Sequence, residues 1–208
     1  MCNPCPWENA TGSRGSRQRW QGPRAGPAGT VSEPRKPRLL LLGYGNPGRG
    51  DDALGPELIS RLEQLAAEKQ LPASLDITLL TDFQLQVEHA LDLQHQDLVL
   101  FVDAHLTTSP PFCFERVRPD PVPSFSTHWV SPGTLLKVVQ DLQGEAPPTY
   151  LLGIRGYQYE LGEPLSAEAQ AHLEDAIKRV LALLNQPDPG IWDALSATHS
   201  QPLEGLPA

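Results

Sequence analysis

The chain has few cysteines, no long apolar run and no recognisable export signal. Its three cysteines, Cys2, Cys5 and Cys113, cannot all pair, so the sequence predicts no disulfide framework and favours a reducing compartment. No segment approaches the roughly 20 apolar residues of a membrane helix. The residues after Met1 lack the apolar stretch and cleavage site of a secretory signal. We therefore expect a cytoplasmic protein without a membrane partner.

Basic residues are scarce outside the N-terminal segment. The 208 residues carry a formal net charge of −9, but residues 1–38 hold seven basic and two acidic residues, which leaves −14 for the rest. An acidic body argues against nucleic acid as a partner. The basic segment is rich in Gly, Pro, Ser and Arg and shows no apolar periodicity, so we predict a disordered tail over residues 1–37. Repeated prolines predict a second disordered tail over residues 186–208.

Between these tails, apolar patterns alternate between those of strands and helices. The continuous apolar run at residues 39–42 is typical of a strand buried on both faces, whereas residues 54–69 repeat leucines at helical spacing. Ser131 and Ser166 stand where the N-caps of two later helices are expected. Strands are predicted at 39–42, 75–80, 98–102, 112–117 and 150–154, and helices at 54–69, 84–93, from 131–132 onward, and at 167–185. This order predicts one α/β domain at 38–185, a three-layer α/β/α sandwich with a mostly parallel twisted sheet of about five strands.

The most conspicuous loop matches a phosphate-binding motif only weakly, through the GxGxxG spacing of Gly43, Gly45 and Gly48. The stretch "LLLLGYGNPGRGDDALG" at residues 39–55 leaves a buried strand through glycines, as a nucleotide loop does. Pro47 and two adjacent carboxylates interrupt it where a phosphate needs free amides and positive charge. The chain also contains neither GxxxxGK(S/T) nor GxSxG. We expect no nucleotide cofactor and assign loop-shaping roles to Gly43, Gly45, Asn46, Asp51 and Gly55.

Two predicted strands end in carboxylates. Asp51 and Asp52 follow the first strand, and Asp103 ends the strand at 98–102. Ligands in open α/β sheets collect at the carboxyl ends of strands, so Asp52 and Asp103 are expected to converge at one crevice if the strands are neighbours. Such a pair can share a proton or bind a metal. Alternatively, Asp51 or, less readily, Asp52 caps the following helix, and Asp103 is a solvated residue at a strand end.

Two histidines are candidates for the same crevice. His105 follows Asp103 by two residues, and His128 stands in the polar stretch "SFSTHWVSPG" before a helix. Loops of this kind often carry binding residues. Spacing alone does not choose between the two histidines.

The chain resembles the nickel–iron hydrogenase maturation proteases over residues 38–185. The resemblance is carried by "LLLLGYGNPGRGDDALGPELISRL", "LVLFVDAHL", "STHWVSPGTLL" and "LSAEAQAHLEDAIKRVLALL". It implies an endopeptidase that removes the C-terminal extension of a hydrogenase large-subunit precursor after nickel insertion. It also implies that nickel arrives with the substrate, held by the substrate's cysteine thiolates, and that the enzyme contacts this metal. The acidic surface and small size allow a monomer.

The resemblance also implies the site residues. The first two metal-contacting positions of the family fall on Asp52 and Asp103, which are also the implied catalytic carboxylates. One branch of the family has its third ligand in an S-P-H motif, but this chain reads Ser131-Pro132-Gly133. Other branches carry the histidine slightly earlier, after Ser or Thr, so the third ligand is assigned to His128, with His105 as the fallback.

Some alternatives stay open at the level of the sequence. Either the metal or a carboxylate acting as general base could activate water. A nickel-dependent chaperone of the same fold that no longer cleaves, or a nucleotide-binding oxidoreductase, would also fit parts of the pattern.

Overall fold

The computed structural model describes residues 35–120 and 130–199, and for residues 197–199 the backbone alone. Five strands are present in this part of the chain: β1 (Arg38–Tyr44), β2 (Asp76–Asp82), β3 (Leu98–His105), β4 (Phe112–Val117) and β5 (Thr149–Arg155). The helices are α1 (Leu54–Ala67), α2 (Ala90–Leu93), α3 (Pro132–Gln143), α4 (Ala167–Asn185) and α5 (Pro189–His199). Short 3-10 turns at Gly50–Ala53 and Val87–His89 precede α1 and α2.

The strands form one sheet in the order β2-β1-β3-β5-β4, with every neighbouring pair parallel except β4 and β5. The apolar runs of β1 and β3 occupy central positions because both faces of these strands are covered. This arrangement places the carboxyl ends of β1 and β3 side by side. The predicted mostly parallel sheet of about five strands is confirmed.

Helices cover both faces of the sheet. Leu39 and Leu41 of β1 pack with α1 and α4 on one face, and the alternating residues Leu40 and Leu42 pack with α2 and α3 on the other. All four leucines are buried, at roughly 1.5–3 kcal/mol each for removal from water. The period of two along β1 therefore produces the two cores of the predicted three-layer sandwich, which the structure confirms.

The helix predicted at residues 84–93 is much shorter in the structure. The chain forms the turn at Val87–His89 and only then the four-residue α2. The N–H of Gln86 donates to His89 Nδ1 at 3.0 Å, and Gln86 Nε2 donates to Asp82 Oδ2 at 3.1 Å. These local side-chain hydrogen bonds stabilise a non-helical conformation before α2. The helix therefore does not extend back to residue 84.

The predicted C-terminal tail is wrong for residues 189–199, which form α5. Asp188 Oδ1 accepts the N–H groups of Gly190 and Ile191 at 2.8 and 3.1 Å, and Pro189 takes the first helical position. An acidic cap followed by proline starts a helix. Trp192 of α5 is fully buried, 5.1 Å from the ring of Tyr150, so this segment belongs to the folded body.

The N-terminal boundary also lies slightly earlier than predicted. Arg35, inside the predicted tail of residues 1–37, donates to both carboxylate oxygens of Asp97. The rest of that predicted tail, residues 1–34, lies outside the described residues. Within the described part, no helix is both long and apolar enough to cross a membrane.

Candidate active site

The loop between β1 and α1 is shaped by close backbone contacts. Gly45 has φ of +140°, and a Cβ atom at this position would lie 2.0 Å from the carbonyl oxygen of Asp52. Similarly, a Cβ on Gly43 would lie 2.4 Å from the carbonyl oxygen of Gly55. Only glycine fits where the loop folds back on itself in this way. The turn brings Asp52 back beside the end of β1.

The backbone N–H groups of this loop are all used inside the protein. Every residue from Gly45 to Asp52 donates its N–H to a described acceptor, except Pro47, which has none. The acceptors are, in chain order, Asp82 O, Asp52 Oδ2, Asn46 Oδ1, Asn46 O, Glu163 O, Gln158 O and Arg49 O. A phosphate cradle needs free amides. The loop therefore offers no nucleotide-phosphate site in this conformation, which argues against the oxidoreductase alternative.

Asp51 is fully buried, and its carboxylate is surrounded by hydrogen-bond donors of the protein. Its carboxylate accepts hydrogen bonds from the N–H groups of Tyr157 (2.7 Å), Gln158 (3.0 Å) and Ser166 (2.7 Å), and from Ser166 Oγ (2.8 Å). Burial alone would raise the pKa of Asp51, but these hydrogen bonds outweigh it and hold the pKa below its usual value. The alternative that Asp51 or Asp52 caps α1 is wrong, because Ala53 takes the N-cap position.

Asp52 is only half-buried, and its carboxylate accepts fewer hydrogen bonds than that of Asp51. Its Oδ2 accepts the N–H of Asn46 at 2.9 Å. Its Oδ1 has no hydrogen-bond partner among the described residues. One carboxylate oxygen therefore remains available for a metal, a proton or a substrate group.

Asp103 lies near the carboxyl end of β3, beside the end of β1. Gly43 is paired with Val102, so the next residues, Tyr44 and Asp103, adjoin at the carboxyl edge of the sheet. Asp103 Oδ1 accepts the N–H of Ala104 at 2.8 Å. Burial raises the pKa of Asp103 to about 7; the Ala104 N–H and the Tyr44 phenol oppose this rise, and the negative charge of Asp52 adds to it. The charge of Asp52 thus acts on Asp103, which indicates that the two carboxylates lie near each other at this edge of the sheet; their roles stay a prediction.

Two tyrosines that the sequence analysis did not single out belong to the same environment. Burial and then the Asp103 charge raise the pKa of Tyr44 well above its usual value. Burial, followed by the charges of Asp51, Asp103 and Asp52, raises the pKa of Tyr159 to about 12, against an opposing effect of Arg155. The Tyr159 hydroxyl is buried and has no hydrogen-bond partner among the described residues. Tyr44 could have been suspected from its place inside the GYGN motif, but no sequence signal marks Tyr159.

Only one of the two candidate histidines, His105, lies in the part of the chain that the structure describes. His128 falls in residues 121–129, outside the described residues, and its assignment stays a prediction. His105 Nδ1 accepts the N–H groups of Thr107 and Thr108 at 3.1 and 3.0 Å. The described residues contain no group of three or more His, Cys, Asp or Glu side chains that could hold a metal. His105 therefore does not complete a three-ligand site with Asp52 and Asp103.

The glycine at position 133 has a structural cause. Ser131 caps α3, its Oγ accepting the Thr134 N–H at 2.9 Å, as predicted. Asp120 Oδ2 accepts from Ser131 Oγ at 2.6 Å and from Thr134 Oγ1 at 2.8 Å. A Cβ on Gly133 would lie 2.4 Å from Asp120 Oδ1. A histidine at position 133, as in the S-P-H branch, would therefore displace the Asp120 carboxylate.

Comparisons with known proteins give matches at the level of structure. Sequence-family profiles give no match, and curated protein sequences give no significant match. A solved structure of the NiFe hydrogenase maturation protease HycI from Thermococcus kodakarensis superposes with a TM-score of 0.56 and is 23% identical over 72% of this chain and 93% of its own length. The hydrogenase maturating endopeptidase HybD from Escherichia coli gives a TM-score of 0.55 and 26% identity over the same shares of the two chains.

The structural match and the motifs agree. The matched proteins are covered over nearly their whole length, so the shared fold is that of a complete domain. In this chain the glycine loop and the end of β3 place Asp52 and Asp103 at one edge of the sheet. The chain therefore has the fold of these nickel–iron hydrogenase maturation proteases, and its motifs resemble those of that family.

Proposed function

We propose that this protein is the endopeptidase that removes the C-terminal extension of a nickel–iron hydrogenase large-subunit precursor once nickel has been inserted. Asp52 and Asp103 are the catalytic and metal-contacting residues in this proposal, and His128 is the third contact. The metal is part of the substrate, held by the cysteine thiolates of the precursor. We expect the enzyme to act in the cytoplasm as a monomer.

The observation that carries the proposal is the contrast between saturated and unsaturated groups at the carboxyl edge of the sheet. The loop amides and the Asp51 carboxylate are engaged, whereas Asp52 keeps an unpartnered oxygen beside Asp103. Two carboxylates alone do not fill the coordination shell of a borderline metal. This arrangement suits a metal that arrives with its own ligands and needs only a few more contacts.

The raised pKa of Asp103 gives this residue a suitable role in hydrolysis. A general base works best when its pKa lies near the working pH, and that of Asp103 is about 7. Asp103 would take the proton from the attacking water and pass it to the leaving amine nitrogen as the peptide bond breaks, while Asp52 would contact the nickel of the precursor and position the scissile bond.

The decisive experiment compares nickel-loaded and nickel-free precursor as substrates of the same enzyme preparation. The proposal predicts rapid cleavage of the loaded precursor and little or none of the free form. Equal cleavage of both forms would contradict recognition through nickel. Tight binding of the loaded precursor without any cleavage would instead favour the chaperone alternative.

A further inference from the structure

A surface groove lies directly beside the Asp52 loop. It has a volume of about 340 Å³ and is lined by Gly45, Pro47, Pro56, Thr81, Asp82 and Phe83. This volume is at the small end of the roughly 300–1,000 Å³ typical of ligand pockets. The groove therefore suits a single side chain better than a dinucleotide.

The groove and the candidate active site share a wall. A carbon atom at the Cβ position of Gly45 would lie 3.7 Å from Asp52 Cγ, and the Gly45 N–H donates to the carbonyl oxygen of Asp82 at 3.1 Å. Adjacent strands are about 4.8 Å apart, and an extended peptide advances about 3.3 Å per residue. A substrate residue in the groove would thus stand one or two positions from the bond held at Asp52.

The chemistry of the lining selects an apolar side chain. Two prolines and a glycine contribute no charge, and the Phe83 ring is 66% exposed at the rim. The one carboxylate in the lining, Asp82, is already engaged. It accepts from the Phe83 N–H and from Gln86 Nε2, and its Oδ2 lies 3.3 Å from His89 Nε2. It therefore has little need of a cationic side chain from the substrate.

We propose that this groove is the subsite for an apolar side chain of the precursor next to the scissile bond, and that Phe83 determines specificity there. The inference rests on the proposed function. An extended peptide whose reacting bond lies at Asp52 must pass one of the neighbouring loops, and the loop after β2 offers this groove. Burial of an apolar side chain against Phe83 would hold the peptide in register for cleavage.

The test uses nickel-loaded precursor and three enzyme variants. Phe83→Ala is expected to lower kcat/KM by about 10-fold or more, the usual effect of lost apolar contact in a specificity pocket. Phe83→Leu should keep most of the activity because it keeps an apolar group at the rim. Leu91→Ala is the matched control, since Leu91 is also 66% exposed but lies on α2 outside the groove. All three variants should melt at the wild-type temperature.

Precursor variants then locate the contact. The residue on each side of the scissile bond is changed to alanine, one at a time, and combined with Phe83→Ala. At one of the two positions the enzyme and substrate changes should be non-additive, because each removes the same contact. Independent effects at both positions, or equal kinetics of Phe83→Ala and Leu91→Ala, would overturn the inference and leave the proposed function intact.

Two further outcomes separate the remaining interpretations. Failure of the wild-type enzyme to cleave loaded precursor would overturn the proposed function, and the subsite with it. If Phe83→Ala instead reduces self-association in sedimentation without changing kcat/KM, the groove contacts a second copy of this chain and the subsite assignment is wrong.

Discussion

Asp51 and Asp52 are adjacent in sequence but have opposite environments. Asp51 is fully buried, and with Tyr157, Gln158 and Ser166 it forms what we call the Asp51 clamp, which ties the β1 loop to the start of α4. Asp52 is half-buried and, with Asp103, forms the acidic crevice. Both carboxylate oxygens of Asp51 accept hydrogen bonds within the clamp. In the crevice, Asp52 Oδ1 has no hydrogen-bond partner among the described residues.

This difference separates a carboxylate whose hydrogen bonds are all made inside the protein from one that can still bind a ligand. Hydrogen bonds that stabilise a charge lower its pKa, as they do for Asp51, and leave it with nothing to offer a ligand. Burial and a neighbouring negative charge raise the pKa of a carboxylate, as they do for Asp103. Binding a proton or a cation stabilises such a carboxylate.

Removing charge from the crevice should abolish processing. Asp52→Asn and Asp103→Asn are each expected to slow cleavage of loaded precursor by roughly 10²–10⁴-fold, the usual range for loss of a general base. Asparagine keeps the shape and an acceptor oxygen, so both variants should stay folded by circular dichroism. The exposed Asp92 on α2 gives a matched control, Asp92→Asn, with unchanged activity. Normal processing by both crevice variants would show that the site is misplaced.

Removing the carboxylate of the clamp should unfold the protein more easily. Asp51→Ala leaves three backbone N–H groups and the Ser166 hydroxyl without their acceptor, and we expect a loss of about 3–5 kcal/mol in the free energy of unfolding measured with urea. Asp76→Ala, at an exposed position at the start of β2, should change it by less than about 0.5 kcal/mol. Equal stability of the two variants would mean that the clamp is not structural.

The crevice should destabilise the fold when both of its carboxylates are charged. Because the folded-state pKa of Asp103 is raised to about 7, the folded protein holds this proton more tightly than the unfolded chain, and its stability falls as the pH rises from about 4 to 7. Asp103→Asn removes this dependence. Its stability advantage should grow over that pH range and reach about 1–2 kcal/mol at pH 8, below the full 1.4 kcal/mol per pKa unit because Asp103 is partly exposed.

Urea denaturation of the wild type and Asp103→Asn at several pH values measures this difference directly. Charge changes at other groups cancel between the two proteins. A stability difference that is the same at pH 4 and pH 8 would contradict the raised pKa.

The smallest effect is expected at Tyr159, between the two regions. Its buried hydroxyl lacks a partner among the described residues, and an unsatisfied buried hydroxyl costs about 1–3 kcal/mol. Tyr159→Phe should therefore raise the free energy of unfolding by about 1 kcal/mol. Tyr157→Phe, which changes a neighbouring tyrosine that is 47% exposed, should have little effect. A loss of stability in Tyr159→Phe would reveal a partner for the hydroxyl.

The sequence predicted the parts of the site that depend on local order. Asp52 and Asp103 were placed at strand ends because apolar runs stop there, and Ser131 and Ser166 were assigned as helix caps from the residues around them. The structure confirms both caps, with Ser166 Oγ accepting the Ala169 N–H at 3.2 Å. Helix α5 was missed because Asp188-Pro189 was taken as the beginning of a disordered tail rather than as a helix start.

The order of residues was enough to predict the class of fold and to place Asp52 and Asp103 near the carboxyl ends of two strands. Periodicity, caps and glycines are local properties, and local properties fix where strands and helices begin and end. Which of the two adjacent aspartates is available follows from the folded structure, because the groups that donate to Asp51 come from Tyr157, Gln158 and Ser166, far along the chain. The folded structure likewise placed Phe83 beside the loop and Tyr159 near the crevice, since contacts between distant segments leave no pattern in the order of residues.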